Sequence, residues 1–176
     1  AMGTDRLTRS FAMKIPETFE PKLIQEARAE ILEKLIPATI QDLEKMKRGQ
    51  YEGYLSEPGV APESTTETFF SLVVRVSKGN MEGVPFVLSA GKAMSKNLTE
   101  IMVTFKGGMK VVISVPSEDS MPAYERVFLD CISGDQTVFI STREIVAEWA
   151  FVTPVVLKVA KKRLFFYKIG ADPADL

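Results

Sequence analysis

Chemistry at neutral pH draws first on imidazole and thiolate, and this sequence has no histidine and a single cysteine, Cys131. Without imidazole there is no Ser-His or Cys-His nucleophile pair, and with one thiol there is no zinc constellation. An all-oxygen metal site needs an Asp-rich loop, which is not visible, so no metal ligands are assigned. Neither GxGxxG after a strand nor GxxxxGK[ST] occurs, so nothing cradles a dinucleotide in a familiar way. Paired carboxylates hydrolyse glycosides, but no motif places such a pair. The residues assign no catalytic group.

The remaining candidates have structural readings. Cys131 has no basic neighbour to activate it and is expected to be a small buried hydrophobe. Tyr124, Glu125 and Arg126 open a helix, where a carboxylate favours the N-terminal dipole. Lys158, Lys161, Lys162 and Arg163 form the one basic cluster. It could attract a phosphate or an acidic partner, but at a helix C-terminus it reads as a solvated face.

The elements that would position these residues follow from periodicity. Leu23, Ala27, Ile31 and Leu35 recur at four-residue spacing after Pro21, predicting a helix that ends near Pro37. A shorter helix is expected from Thr39 to about Lys47, stopped by Gly49, with Tyr51 packing on a sheet and a loop from Tyr51 to Ser64. Phe70, Leu72, Val74 and Val76 alternate with Phe69, Ser71, Val73 and Arg75 as a strand. Val84–Leu88 is a second, short strand, with Pro85 marking an edge or a strand start. Ile101, Val103 and Phe105, then Val111, Ile113 and Val115, alternate around Gly107-Gly108 as an antiparallel hairpin.

A helix from Tyr124 to about Ile132 should stop near Gly134. Ser141-Thr142-Arg143-Glu144 spells a capping box for the next helix. Its expected core face is Ile145, Trp149, Val152, Val156 and Val159, with Pro154 kinking or splitting it. Leu164–Tyr167 is a candidate final strand. Helix, then strands, then helices indicates an α+β fold, a mostly antiparallel sheet with helices packed on one face.

Length and charge bound the rest. With 176 residues, the chain suits one domain, expected over residues 21–176. Residues 1–20 are read as a vector or protease scar followed by a linker or helix end. A formal net charge of −1 gives no electrostatic case for nucleic acid or an anionic membrane. No apolar run approaches the roughly 20 residues that span a bilayer, and no signal peptide is seen. A single cysteine fits a reducing, cytoplasmic setting.

Three stretches carry a family resemblance. Gly49-Gln50-Tyr51 leads to GYLSEPGVAPESTTETF at 53–69; EGVPFVLSAGKAMSKNLTEIMVTFK covers 82–106; AYERVFLDCISGDQTVF covers 123–139, followed by Glu148-Trp149 and Thr153-Pro154. In this order and spacing they resemble the C-terminal half of glucose-6-phosphate dehydrogenases, from about Phe11 to Pro154, with a poorer match in the tail. The resemblance implies an α+β domain that follows a dinucleotide-binding domain. It implies hydride transfer from C1 of glucose 6-phosphate to NADP, giving 6-phosphogluconolactone. The histidine base and the nucleotide cradle would lie upstream, so NADP would be bound by a domain absent here and none is expected on this chain alone. Implied partners are glucose 6-phosphate, the N-terminal dinucleotide-binding domain and a homo-oligomer through the sheet.

One substrate contact maps onto this sequence. The lysine of Gly91-Lys92 resembles the residue that reaches the sugar phosphate, and a strand-end ammonium with three charged donors suits that task. Ser89 and Asn97 stand where relatives often carry arginine, and Pro116 where a glutamine approaches the sugar. Ser114 replaces an arginine that holds a second, structural NADP in some members, so that site is not carried over. Gly107-Gly108 and the passage from Val115 to Ala123 are shorter than in the family. The alternative is a stand-alone, catalytically dead relative acting as a sugar-phosphate-binding or regulatory module.

Overall fold

The computed structural model describes residues 18, 20–79, 81–115 and 122–176. Along these, the elements are α1 (Pro21–Leu32), α2 (Ile40–Lys45), β1 (Lys47–Tyr51), β2 (Phe69–Val74), β3 (Phe86–Gly91), β4 (Thr99–Thr104), β5 (Lys110–Val115), α3 (Ala123–Ser133), α4 (Thr142–Val159) and β6 (Phe165–Tyr167). Short 3-10 turns follow β1 and β6.

Four strands form one sheet in the order β3-β2-β1-β6, and β4 pairs with β5 as a separate hairpin. The pairs β1–β2, β2–β3 and β4–β5 are antiparallel, whereas β1–β6 is parallel. The fold is therefore α+β with a mostly antiparallel sheet, as the sequence pattern predicts, and β3 lies at an edge as Pro85 suggests.

Side-chain alternation on β2 divides its residues between two faces. Leu72 and Val74 join Met46 of the α2 end and Val155 and Val159 of α4 in the core. Phe70, Phe86, Leu88, Ile31 and Phe151 pack around that cluster, so the helices cover one face of the sheet. On the other face Phe69 is buried among aromatic rings, with Phe165 and Tyr167 of β6 in edge-on contact.

Charged groups fasten the helices to one another. Arg28 of α1 donates from Nε to Glu144 Oε1 at 2.6 Å and from Nη2 to the Phe139 carbonyl at 2.8 Å. Glu144 accepts the Ser141 backbone N–H through its other oxygen at 2.7 Å, completing the predicted capping box. Thr39 and Asp42 form a second such box at α2, and Arg75 donates to Asp42 at 2.5 Å. That guanidinium, with the Thr39 hydroxyl, lowers the Asp42 pKa from the ordinary 3.8 to about 2.

Several expectations are corrected. Gly49 does not stop a helix; α2 ends at Lys45, and Gly49-Gln50-Tyr51 runs inside β1 between β2 and β6. A Cβ on Gly49 would lie 2.6 Å from Phe165 Cζ, so the glycine is needed for the ring to cross the strand. Of the expected core face of α4 only Val159 is buried, together with Glu144, Glu148 and Val155, while Trp149 is 60% exposed. That helix is apolar around much of its girth, so the apolar spacing does not single out a face; the Arg28–Glu144 pair does. Pro154 lies within α4 without splitting it. Cys131 is exposed rather than buried.

Lys162 is not part of a solvated face: its ammonium donates to the carbonyls of Leu43, Glu44 and Met46 at the end of α2. In turn, buried Arg48 donates to the Val159 and Lys162 carbonyls at 2.8 and 2.9 Å, closing the end of α4. Each cation satisfies carbonyls that a helix end leaves unpaired. Pro116 lies outside the described residues, as does most of the passage from Val115 to Ala123.

Candidate functional site

Strand β3 ends where Gly91 sits opposite Phe69 of β2. A Cβ on Gly91 would meet the Met94 side chain and the edge of the Phe69 ring, so the two side chains close over the glycine. The next residue, Lys92, leaves the sheet with its backbone held on both sides. Its N–H donates to the Thr68 carbonyl at 2.8 Å, and its own carbonyl accepts the Tyr167 hydroxyl at 2.8 Å.

The chain then turns through Ala93 at φ 54, the described non-glycine residue with a positive φ. A left-handed alanine costs about 1 kcal/mol and persists only where neighbours fix it. Here the Ala93 carbonyl accepts the Gly170 N–H at 2.8 Å, and Ser95 N–H donates to the Ala171 carbonyl at 3.0 Å. The result is a rigid turn with an exposed lysine side chain. Among the described residues the Lys92 ammonium has no hydrogen-bond or ion-pair partner, so its three donors remain available.

Gly49-Gln50-Tyr51 reaches the same place from the other side. Gln50 is fully buried and donates from Nε2 to the Ser64 and Thr66 carbonyls, both at 3.0 Å, shaping the loop before β2. Tyr51 N–H donates to Thr68 Oγ1 at 2.9 Å. Thr68 Oγ1 lies 2.8 Å from the Tyr167 hydroxyl. The phenol donates toward the Lys92 and Thr68 carbonyls, at 2.8 and 3.1 Å, which leaves its oxygen to accept from the threonine hydroxyl. Burial pushes the Tyr167 pKa up from 10.0, so the phenol keeps its proton at neutral pH. A continuous chain of donors thus runs from β1 through β2 and β6 to the turn at Lys92.

The structure therefore joins two of the stretches singled out in the sequence, GQY and GK, and leaves the others apart. Tyr124, 91% exposed on α3, and Trp149 on α4 share no hydrogen bond with the Lys92 turn. Ser89, near Lys92 on β3, donates to Ser71 at 2.9 Å across the strand pair. Tyr167 and Thr68 were not recognised in the sequence as site residues. The one available signal was a tyrosine closing a short aromatic strand, since a buried phenol needs a polar partner.

Away from this turn, a concavity of about 570 Å³ runs between α1, α2 and α4. Leu32, Leu35, Leu43, Phe151 and Val155 line it, and the Glu33–Arg143 ion pair stands beside it. Hydrocarbon walls of this kind suit packing rather than chemistry. Among the described residues no three His, Cys, Asp or Glu side chains come together to hold a metal ion. No described strand leads through a glycine-rich turn into a helix, so these residues do not fit a dinucleotide's pyrophosphate. No described helix is long and apolar enough to cross a membrane.

With that geometry in place, comparison with known proteins adds the following. The family model described as glucose-6-phosphate dehydrogenase, C-terminal domain, matches residues 6–116 and 109–175. The two stretches meet next to the shortened passage after Val115, and the match takes in the tail that the motifs alone left aside. Glucose-6-phosphate 1-dehydrogenase 5, cytoplasmic, of Arabidopsis thaliana is 31% identical over 85% of this chain and 37% of its own length. The Solanum tuberosum cytoplasmic isoform is 30% identical over 84% of this chain and 37% of its own. The chain thus spans well under half the length of these relatives. Among solved structures, glucose-6-phosphate 1-dehydrogenase from Mycobacterium avium superposes with a TM-score of 0.75 at 24% identity, covering 96% of this chain and 45% of that one. This last likeness speaks for the fold alone.

Proposed function

The chain belongs to the family of glucose-6-phosphate dehydrogenase C-terminal domains, and from that premise we propose that it is the substrate-side and assembly domain of an NADP-dependent glucose-6-phosphate dehydrogenase. In this reading residues 21–176 form one domain, and the complete cytoplasmic enzyme oxidises glucose 6-phosphate to 6-phosphogluconolactone. A dinucleotide-binding domain supplies the base and holds NADP. This chain supplies Lys92, whose ammonium meets the sugar phosphate as a point cation.

The observation that carries the proposal is the Lys92 turn: an unengaged ammonium on a backbone that Thr68 and residues 167–171 hold in a strained conformation. Strain of this sort collects where a side chain must be aimed. An exposed lysine of no consequence would need no such support.

Two measurements test it. The purified chain mixed with NADP and glucose 6-phosphate should form no NADPH, because the sequence has no histidine to take the C1 hydroxyl proton; a robust rate defeats the half-enzyme reading. In the full-length protein, Lys92→Ala should raise KM for glucose 6-phosphate by about tenfold or more, as expected for losing a charge-assisted contact of about 1.5–3 kcal/mol. An unchanged KM removes Lys92 from the site.

A second reading, a catalytically dead module that binds a sugar phosphate or a complete dehydrogenase, is favoured by Ser89 and Asn97 replacing basic residues near Lys92. The parent reading frame separates the two: an upstream dinucleotide-binding segment supports the enzyme, whereas a natural start near Met13 supports the module.

A further inference from the structure

We propose that Tyr167 is a positioning residue for the sugar-phosphate site, its phenol hydroxyl fixing the left-handed turn that aims Lys92. This rests on the reading of Lys92 as the phosphate contact. Four backbone atoms anchor the turn: Lys92 N, Lys92 O, Ala93 O and Ser95 N. One is held by Thr68, just before β2. The other three are held by residues 167–171, so the tail after β6 is the principal support of a turn that precedes it by more than 70 residues.

Tyr167 stands at the junction of these supports. It is 3% exposed, its ring lies against Phe69 and Phe165, and its hydroxyl links Thr68 Oγ1 to the Lys92 carbonyl. If its role were packing alone, a phenylalanine would serve equally, since the three-ring cluster uses only the ring. The hydroxyl has a different task. Without it the Lys92 carbonyl loses its donor, the Thr68 hydroxyl loses its acceptor, and the turn keeps three of its four anchors, so the peptide after Lys92 is held less firmly beside the left-handed Ala93. The Lys92 ammonium, at the end of a four-carbon stem, then samples more directions relative to a bound phosphate. Binding weakens while the reacting centre, supplied from elsewhere, is untouched.

The test is Tyr167→Phe in the full-length protein, compared with Lys92→Ala and with the double variant. The expected result is a KM for glucose 6-phosphate raised about three- to tenfold, the range for one lost neutral hydrogen bond. The kcat and the KM for NADP should stay within about twofold. The double variant should be no worse than Lys92→Ala alone, since the hydroxyl acts only through Lys92. If Lys92→Ala raises KM and Tyr167→Phe does not, the positioning role is overturned and the reading of Lys92 stands. If Tyr167→Phe acts additively with Lys92→Ala, Tyr167 works by another route and the proposal also fails. If Lys92→Ala itself has no effect, the reading of the site fails and the positioning role with it.

A second measurement on the 176-residue chain is independent of catalysis. The backbone amides of Lys92, Ser95 and Gly170 should exchange with solvent about tenfold faster in Tyr167→Phe, while β4 and β5 amides keep their rates. Unchanged exchange at all three overturns the brace. Thr68→Val, which removes the other hydroxyl of the relay, should reproduce the pattern, and Thr68→Ser should restore it.

Discussion

The four-stranded sheet and the β4–β5 hairpin are written in nearly the same alphabet, yet they end in opposite surroundings. β2 alternates phenylalanine, leucine and valine, and Phe69 is 1% exposed. β5 alternates valine and isoleucine just as regularly, and Ile113 is 50% exposed, with Met102 and Val112 similarly open. The hairpin is connected across all six of its residue pairs, but among the described residues it has no helix laid over it and no third strand. Two-stranded ribbons are marginal in water without a partner surface. Alternation therefore specifies that a segment is a strand, whereas burial is decided by what the rest of the chain lays against it. The sheet region carries its own core; the hairpin leaves apolar side chains exposed among the described residues.

The widest contrast should come from large-to-small changes. Phe69→Ala should cost about 3–5 kcal/mol in urea unfolding, because the three-ring cluster loses its centre. Ile113→Ala should cost less than about 1 kcal/mol in the same chain. Equal losses would break the comparison by showing the hairpin to be packed. A pair of glycines sharpens it further. Gly49→Ala drives a methyl against the Phe165 ring and should cost about 1–3 kcal/mol, whereas Gly107→Ala, with open space around it, should stay within about 0.5 kcal/mol.

Acid should also act on the sheet region first. Asp42 titrates near pH 2 when folded and near its ordinary value when unfolded, so the unfolded chain takes up that proton first. Its contribution is complete above about pH 4 and fades as the pH falls toward 2; Asp42→Asn should flatten that part of a stability–pH curve. The smallest effect is spectroscopic. Trp149, exposed on α4, should emit like a solvated indole and be quenched by iodide, and a protected indole in the isolated chain would mean that face is already covered.

Local rules were legible in the sequence. The hairpin around Gly107-Gly108, the capping box at Ser141 and Glu144, the end of α3 at Gly134 and the edge position of β3 all follow from residues within a few positions of one another. What was not legible depends on distant partners. Gly49 reads as a helix stop until Phe165 arrives beside it. Lys162 reads as solvated until the end of α2 is found under it, and Trp149 reads as core until Arg28 selects the opposite side of α4. The same limit hid half of the candidate site. Lys92 carries a recognisable local motif, but Tyr167 and Thr68 gain their meaning only from a parallel strand pairing that no short window contains.

That pairing has a consequence for how the protein comes into being. β1 is synthesised more than a hundred residues before β6, the strand that flanks it. While the chain grows from the ribosome, Gly49-Gln50-Tyr51 must wait with one side of its hydrogen-bonding groups open, and the lysine turn waits without its clamp. Closure of the sheet is a late, long-loop event, slow to form and vulnerable to wrong pairing until residues 165–171 emerge. A nascent chain stalled before Phe165 should therefore be the form that chaperones hold and proteases cut.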